Sequence, residues 1–271
     1  MHHETDTRTH QYRVILLSML FLSLALRVSL VMSGGQNYWP DERRYDVSRR
    51  AADALWNGDV LGTLRALNSA SHFLYKVIGV VPALVQKAVS PSPKIPALFF
   101  SWFSIANLWL AWAVVRRTGE NKRVALLAAV MLALCSTFLY YCRHLLPYDA
   151  AMAFGLLSLF LGLRSPPRAV DSVLCGFFSL CAFLTYNGYW VLAGLALSVH
   201  ILRPPRTYAA VLRRAAISGA AFVFPLAVLL TVSAMASDWH LLRQFIVFSR
   251  TVTQGSFSEG WCLPFAYLWD A

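Results

Sequence analysis

The stretch GGQNYWPDERRY, Gly34 to Tyr45, sets two adjacent carboxylates, Asp41 and Glu42, directly before two guanidinium groups, Arg43 and Arg44, where a long apolar run ends. Another carboxylate, Asp149 in RHLLPYD, opens a second apolar run far along the chain. A carboxylate within about one turn of a lipid boundary is costly unless it faces a cavity or a partner, which makes Asp149 a functional candidate. Acids that share a membrane surface with arginines suit one kind of chemistry. A carboxylate takes the proton of an attacking hydroxyl, and cations hold a lipid-linked phosphate that departs as an anion. The lipid tail of such a donor stays in the bilayer. Each residue has a structural explanation beside this one. Pro40, Asp41 and Glu42 suit a helix start, with proline at the first position and carboxylates complementing the dipole. Asp149 after Pro147 suits a cap. Arg143, in the same junction, either meets substrate or snorkels to headgroups.

The elements that must position these groups are membrane spans. Of the 271 residues, 58% are hydrophobic and only 14% charged, a balance unlike that of soluble domains. Apolar runs near the roughly 20 residues that cross a bilayer occupy 14–33, 97–115, 124–142, 146–163, 170–187, 189–202 and 215–236, and an eighth begins near Cys262. They predict an all-α polytopic membrane protein of seven to eight spans, one transmembrane module over 1–271. The first run is too long for the core of a cleavable signal peptide and reads as a retained span. The net charge of +11 fits basic loops that set topology or hold lipid phosphates. Membrane lipids are therefore expected partners, and nucleic acid is not. The five cysteines show no disulfide or metal spacing and read as small packing residues.

One apolar stretch, His72 to Val89, is ambiguous, and loop charge decides it. If 72–89 lies along the membrane, the N-terminus, RRTGENKR, RSPPR and RPPRTYAAVLRR all fall on one side, the cytoplasmic one. If it crosses, the last three loops flip outside. It is expected as a juxtamembrane helix, which makes 34–95 one long outer region. Junction 143–149 and loop 237–261 join it there. From Asp41 on, Val47, Ala51, Ala54 and Leu55 form the apolar stripe of an amphipathic helix.

YWPDERRYDVSRRAADALWNGD resembles the first outer loop of polyprenyl-phosphate-sugar glycosyltransferases of the GT-C superfamily, closest to the bacterial family-39-like enzymes and the lipid A aminoarabinose transferases. Those carry a Pro-Asp-Glu-x-Arg-Tyr signature after the first span, matched here by Pro40, Asp41, Glu42, Arg44 and Tyr45, then an amphipathic helix ending in Gly-Asp, here Gly58-Asp59. The family also opens a later span on an outer aspartate, the place Asp149 takes. The resemblance implies inverting transfer of a sugar from a polyprenyl-phosphate donor to a lipid, glycan or protein acceptor, at the outer face of a bacterial inner membrane. It implies Asp41 as general base or acceptor-orienting carboxylate and Asp149 as the second essential acid, with Glu42 beside them. Arg44 and Tyr45 would contact the donor phosphate or order the loop. Many relatives have His-Pro-Pro-Leu-Tyr where this chain has SHFLY, so His72 and Tyr75 remain without the prolines. Both join Arg143 as candidate substrate contacts, together with Arg250 in the later outer loop. A divalent cation is the one candidate cofactor, with Glu42 and His72 as its candidate ligands; no spacing demands it. Relatives usually continue through several more spans, so a C-terminal remainder is expected to be absent from these 271 residues. Two other readings stand beside the enzyme: an inactive, partner-binding relative, and a transporter, for which the spans hold little central charge beyond Arg27.

Overall fold

The computed structural model describes residues 2–68, 72–166 and 168–237 with 243, 246 and 247, excepting the side chains of 2–10, 236 and 237. Among the described residues the chain is helical throughout, with no strand. The helices are α1 His2–Met32, α2 Tyr45–Trp56, α3 Val60–Leu67, α4 Phe73–Val89, α5 Lys94–Arg117, α6 Lys122–Leu134, α7 Ser136–Tyr141, α8 Tyr148–Gly162, α9 Ala169–Thr185, α10 Trp190–Leu202 and α11 Tyr208–Ser237. Two 3₁₀ turns, Pro40–Arg44 and Asn187–Tyr189, sit between them.

Among the described residues, three helices are long and apolar enough to cross a membrane: Gln11–Met32, Lys94–Arg117 and Tyr208–Met235. Only 6% of the apolar window of the last is buried within the protein. Phe21 on α1 and Phe224 on α11 are each about 70% exposed. Apolar faces of that extent belong against lipid. The expected spans 146–163, 170–187 and 189–202 are shorter apolar helices. At 1.5 Å per residue, the 15 residues of α8 reach about 22 Å, short of a roughly 30 Å hydrocarbon core. The expected span 124–142 is two helices. Cys135 between them is extended (φ −62, ψ 117), and the Cys-Ser-Thr run there offers weak helix formers whose hydroxyls compete for backbone groups.

Side-chain contacts sort the loops to two ends. Arg123 donates to the Tyr12 hydroxyl at 2.8 Å, Arg117 to the Phe160 carbonyl and Arg203 to the Arg164 carbonyl. Loops 118–121, 163–168 and 203–207 thus gather at one end, here the basic end. At the other, Lys94 donates to the Met32 carbonyl at 2.8 Å, Gln36 to the Arg143 carbonyl at 3.2 Å and Ser233 to Asn68 at 2.9 Å.

Close helix crossings rest on small residues, as in membrane bundles. A Cβ on Gly176 of α9 would meet the Ser218 carbonyl oxygen of α11 at 2.1 Å. Ser158 of α8 meets Ser179 of α9 at 2.8 Å, with buried Cys175 beside it. The α2 stripe packs on α4 with Ala51 in the shared core; Val47 is buried as well, while Leu55 stays exposed. Ser48 donates to the Lys76 carbonyl at 2.9 Å against Gly79, where a Cβ would meet Ser48 Oγ at 2.4 Å. Segment 72–89 therefore lies along α2, with Tyr75, Ala83, Phe100 and Leu145 in one shared core.

Candidate functional site

The end opposite the basic loops is built around Glu42. Pro40 starts the 3₁₀ turn and holds Glu42 inward, 1% exposed. Its Oε2 accepts the Trp39 N–H at 2.9 Å. Its Oε1 accepts the Leu145 N–H at 2.7 Å. Two backbone N–H groups on one buried carboxylate are charge-assisted bonds, each worth roughly 1.5–3 kcal/mol. Tyr75, fully buried, donates to the carbonyl of the same Leu145 at 2.5 Å. His144 lies with Nδ1 3.4 Å from Glu42 Oε2 without hydrogen-bond alignment. Burial lowers the His144 pKa, with the Glu42 charge opposing. Glu42 and Tyr75 thus form a latch between the 34–45 loop and the 143–147 junction.

Tyr45 also points inward. It is 1% exposed, its ring edge-on to Phe100 at 6.4 Å with the Arg49 guanidinium 5.5 Å over its face. Ordering the loop is the part of its expected role that this geometry allows; phosphate contact is not. The same holds for Tyr75, whose one hydroxyl proton is committed to Leu145.

Asp41 and Arg44 form the half-exposed part of the site, above a buried His72. Asp41 and Arg44 pair at 2.9 Å with 47% and 31% of their side chains exposed. Such a pair is worth about 0–1 kcal/mol, so a ligand can take it over at little cost. Arg44 Nη1 bonds His72 Nε2. His72 is buried and holds a left-handed backbone (φ 60), a conformation costing roughly 1–2 kcal/mol for a residue with a Cβ. Facing a guanidinium, Nε2 must be the acceptor, which leaves the proton on Nδ1, buried without a partner. Burial first, then the charges of Arg44 and Lys76, push the His72 pKa down to about 3.

Aromatic rings run around this group. Trp39 meets Tyr140 at 6.4 Å, Tyr140 meets Tyr141 at 5.3 Å, and Tyr141 meets Tyr148 at 5.5 Å. Tyr148 meets Tyr186 at 4.9 Å, and Tyr186 lies 5.0 Å from the His72 ring. Tyr148 senses the charges of both Asp41 and Arg44. Arg143 lies over Tyr140 at 5.1 Å and donates to His144 at 3.4 Å. It has no carboxylate partner among the described residues.

Asp149 follows Tyr148 and lies at this same end, but turned into the helix bundle. It is 9% exposed, and Asn107 donates to its backbone carbonyl at 2.9 Å. Its charged neighbour is Arg27 of α1. Arg27 is fully buried, donates to Ser104 at 2.7 Å and to the Ser23 carbonyl at 3.2 Å, and lies 5.2 Å from the Phe138 ring. No hydrogen bond joins Asp41 to Asp149; Tyr148 stands between them. Sequence reasoning noted Arg27 only as a stray charge. Its signal was a guanidinium inside the first apolar run, which requires a partner.

As cation ligands, Glu42 and His72 are not brought together: Glu42 spends both oxygens on the latch and His72 its Nε2 on Arg44. Among the described residues no group of three His, Cys, Asp or Glu side chains forms a ligand set. Arg250, loop 237–261 and the run from Cys262 lie outside the described residues, apart from 243, 246 and 247.

His72 gives the site a pH signature. Its unfolded counterpart titrates near 6.5 and the folded group near 3. Between these values the unfolded chain binds the extra proton, so stability is complete above about 6.5 and falls with acidification. From pH 6.5 to 5 the loss should be about 2 kcal/mol. Unfolding midpoints in detergent should drop over that range more steeply for the wild type than for His72→Gln, which keeps the contribution of the buried His144. Equal slopes for both would contradict the neutral, Arg44-facing imidazole.

Compared with known proteins, the chain matches no protein-family model, no curated protein and no solved structure.

Proposed function

We propose that the protein transfers a sugar from a polyprenyl-phosphate donor to an acceptor hydroxyl, with the Asp41 end on the outer face of the membrane and the basic loops on the cytoplasmic face. The observation that carries the reading is the half-exposed Asp41–Arg44 pair on buried His72, with Arg143 in the 143–147 junction at the same end and Trp39 and tyrosines linking the two. In this account the donor phosphate binds Arg143 and displaces Asp41 from Arg44, taking that guanidinium as a second donor. Guanidinium forks suit phosphate oxygens, and aromatic faces suit the apolar faces of a sugar ring. Freed, Asp41 accepts the acceptor's hydroxyl proton as its oxygen attacks the anomeric carbon. The bond from that carbon to the phosphate oxygen breaks, and polyprenyl phosphate leaves with the electron pair between the two arginines. Asp149 acts from beneath: within the field of Arg27, it lies in the first turn of α8 next to Tyr148, which senses Asp41 and Arg44. Glu42 and Tyr75 keep the two loops in register.

The gathering of the basic loops at the other end supports this orientation, because positively charged short loops stay cytoplasmic. A transporter would need its polar site near midplane. Arg27 is five residues from the end of α1, about 8 Å of rise, so the buried polar group lies toward one face. The test is release of polyprenyl phosphate from polyprenyl-phosphate-sugar donors by the purified chain in lipid nanodiscs, followed by mass spectrometry. Release that exceeds the empty-nanodisc rate supports the reading; a rate equal to it, across donors and acceptors, counts against it.

A further inference from the structure

The basic end holds a cavity that the proposed transfer does not use. It measures about 410 Å³ and lies between the start of α9 and the 205–214 segment, lined by Arg168, Ser172, Pro205, Thr207, Arg213 and Arg214. Arg168 and Arg213 are exposed; Arg214 is 5% exposed and Ser172 2%.

The wall is rigid. Arg214 donates through Nη2 to the Arg203 carbonyl at 2.7 Å and the Pro205 carbonyl at 2.9 Å. Those bonds pin the guanidinium of a side chain that a merely topogenic arginine would leave free in water. Ser172 meets His200 Nε2 at 2.8 Å, and His200 Nδ1 meets the Gly162 carbonyl at 3.1 Å. The carbonyl takes the Nδ1 proton, so the Ser172 hydroxyl donates to Nε2 and fixes the floor.

The site lacks negative charge. Arg214 Nε, and Arg203 Nε and Nη2 behind it, are buried N–H groups with no acceptor. Buried donors of this kind each leave a desolvation cost of roughly 1–3 kcal/mol unmet. No acid is among the residues that line the cavity, and Asp171, at the start of α9, is fully buried. Its Oδ2 accepts the Arg168 N–H at 2.9 Å and its Oδ1 lies 3.5 Å from Arg164. Burial, followed by the Arg214 charge, lowers the Arg203 pKa below its ordinary value, with the Asp171 charge opposing in part.

We propose that this cavity binds a phosphate group, held by the Arg213 and Arg168 guanidiniums at its mouth and by Arg214 at its wall. A phosphate oxygen supplies acceptors that arginine forks match bidentately. The volume exceeds that of a bare phosphate and suits a phosphate with a short polar substituent. Tyr208 and Leu212, 82% and 54% exposed, flank the segment and offer apolar surface to a lipid. Two sources share this chemistry, an anionic phospholipid headgroup and a soluble phosphate, and a titration separates them. The site stands apart from the transfer reading, so either can fail alone.

The experiment follows the thermal unfolding midpoint of the full chain in non-ionic detergent. It titrates phosphatidylglycerol, phosphatidylcholine or inorganic phosphate into wild type and an Arg168→Gln/Arg213→Gln variant, whose exposed positions leave the fold intact. Saturable stabilisation by phosphatidylglycerol but not phosphatidylcholine assigns a lipid headgroup. Saturable stabilisation by inorganic phosphate alone assigns a soluble ligand. In either case the variant should need at least about tenfold more ligand for half-saturation, the worth of one charge-assisted bond. The proposal is overturned if neither phosphate ligand stabilises saturably, if phosphatidylcholine does so equally, or if the variant titrates like wild type.

Discussion

An Asp41→Asn protein should insert, fold and bind donor as the wild type does, yet transfer sugar at least about 10²-fold more slowly. General-base removal costs typically 10²–10⁴-fold. Asparagine keeps the side chain's shape and one oxygen acceptor for Arg44, so the 2.9 Å contact loses charge but not geometry. What disappears is proton uptake. Asp41 is also half exposed and outside the buried core, so its replacement should move the unfolding midpoint little, a surface pair being worth about 0–1 kcal/mol. The split is the informative part: turnover falls while donor affinity and stability hold. A variant with wild-type turnover would remove Asp41 from the chemistry. One with equal losses in stability and turnover would make it a structural residue of the 3₁₀ turn.

Arg27→Ala should damage the fold strongly, lowering unfolding free energy by about 2–5 kcal/mol, through the cavity left by a fully buried side chain and the loss of the positive charge that Asp149 feels. Arg27 is fully buried, and Asp149, at 9% exposure, has it as charged neighbour. Truncation also strands Ser104, which accepts from its Nε. Two variants separate charge from packing. Arg27→Ala with Asp149→Asn removes the uncompensated carboxylate and should recover more than half of the loss. Arg27→Met keeps most of the volume and should recover little. If the double variant is as unstable as Arg27→Ala, packing against Phe138 and Ser104 is what matters, and Asp149 needs no countercharge.

The long helices were legible because hydropathy and length alone define them: 14–33, 97–115 and 215–236 fall within α1, α5 and α11 apart from a residue at the end of the first. Loop charge led to the expectation that 72–89 lies along the membrane; what the fold shows is that α4 packs on the amphipathic α2. The break at Cys135 was not legible, since an average over apolar residues is blind to one extended backbone position. At the candidate site, the PDERRY motif singled out the loop but not the direction of its side chains. Asp41 and Arg44 face outward, whereas Glu42 and Tyr45, with equal chemical promise, face in. Only the fold decides that, through the Leu145 N–H that Glu42 captures. The aromatic ring was invisible for a related reason. Tyr140, Tyr148 and Tyr186 come from separate elements, and no spacing along the chain announces that they meet. Arg27 and Asp149 were each readable as costly charges in apolar runs, but not as neighbours that feel each other's charge.

The most direct measurement of the central claim is photo-crosslinking of the chain in nanodiscs with a diazirine-bearing polyprenyl phosphate, followed by peptide mapping. The account predicts labelling of the 36–45, 140–149 and 186–190 segments, abolished by excess unlabelled polyprenyl phosphate and weakened by Arg143→Ala. Label confined to the 203–214 segment at the basic end, or insensitive to competitor, would contradict it.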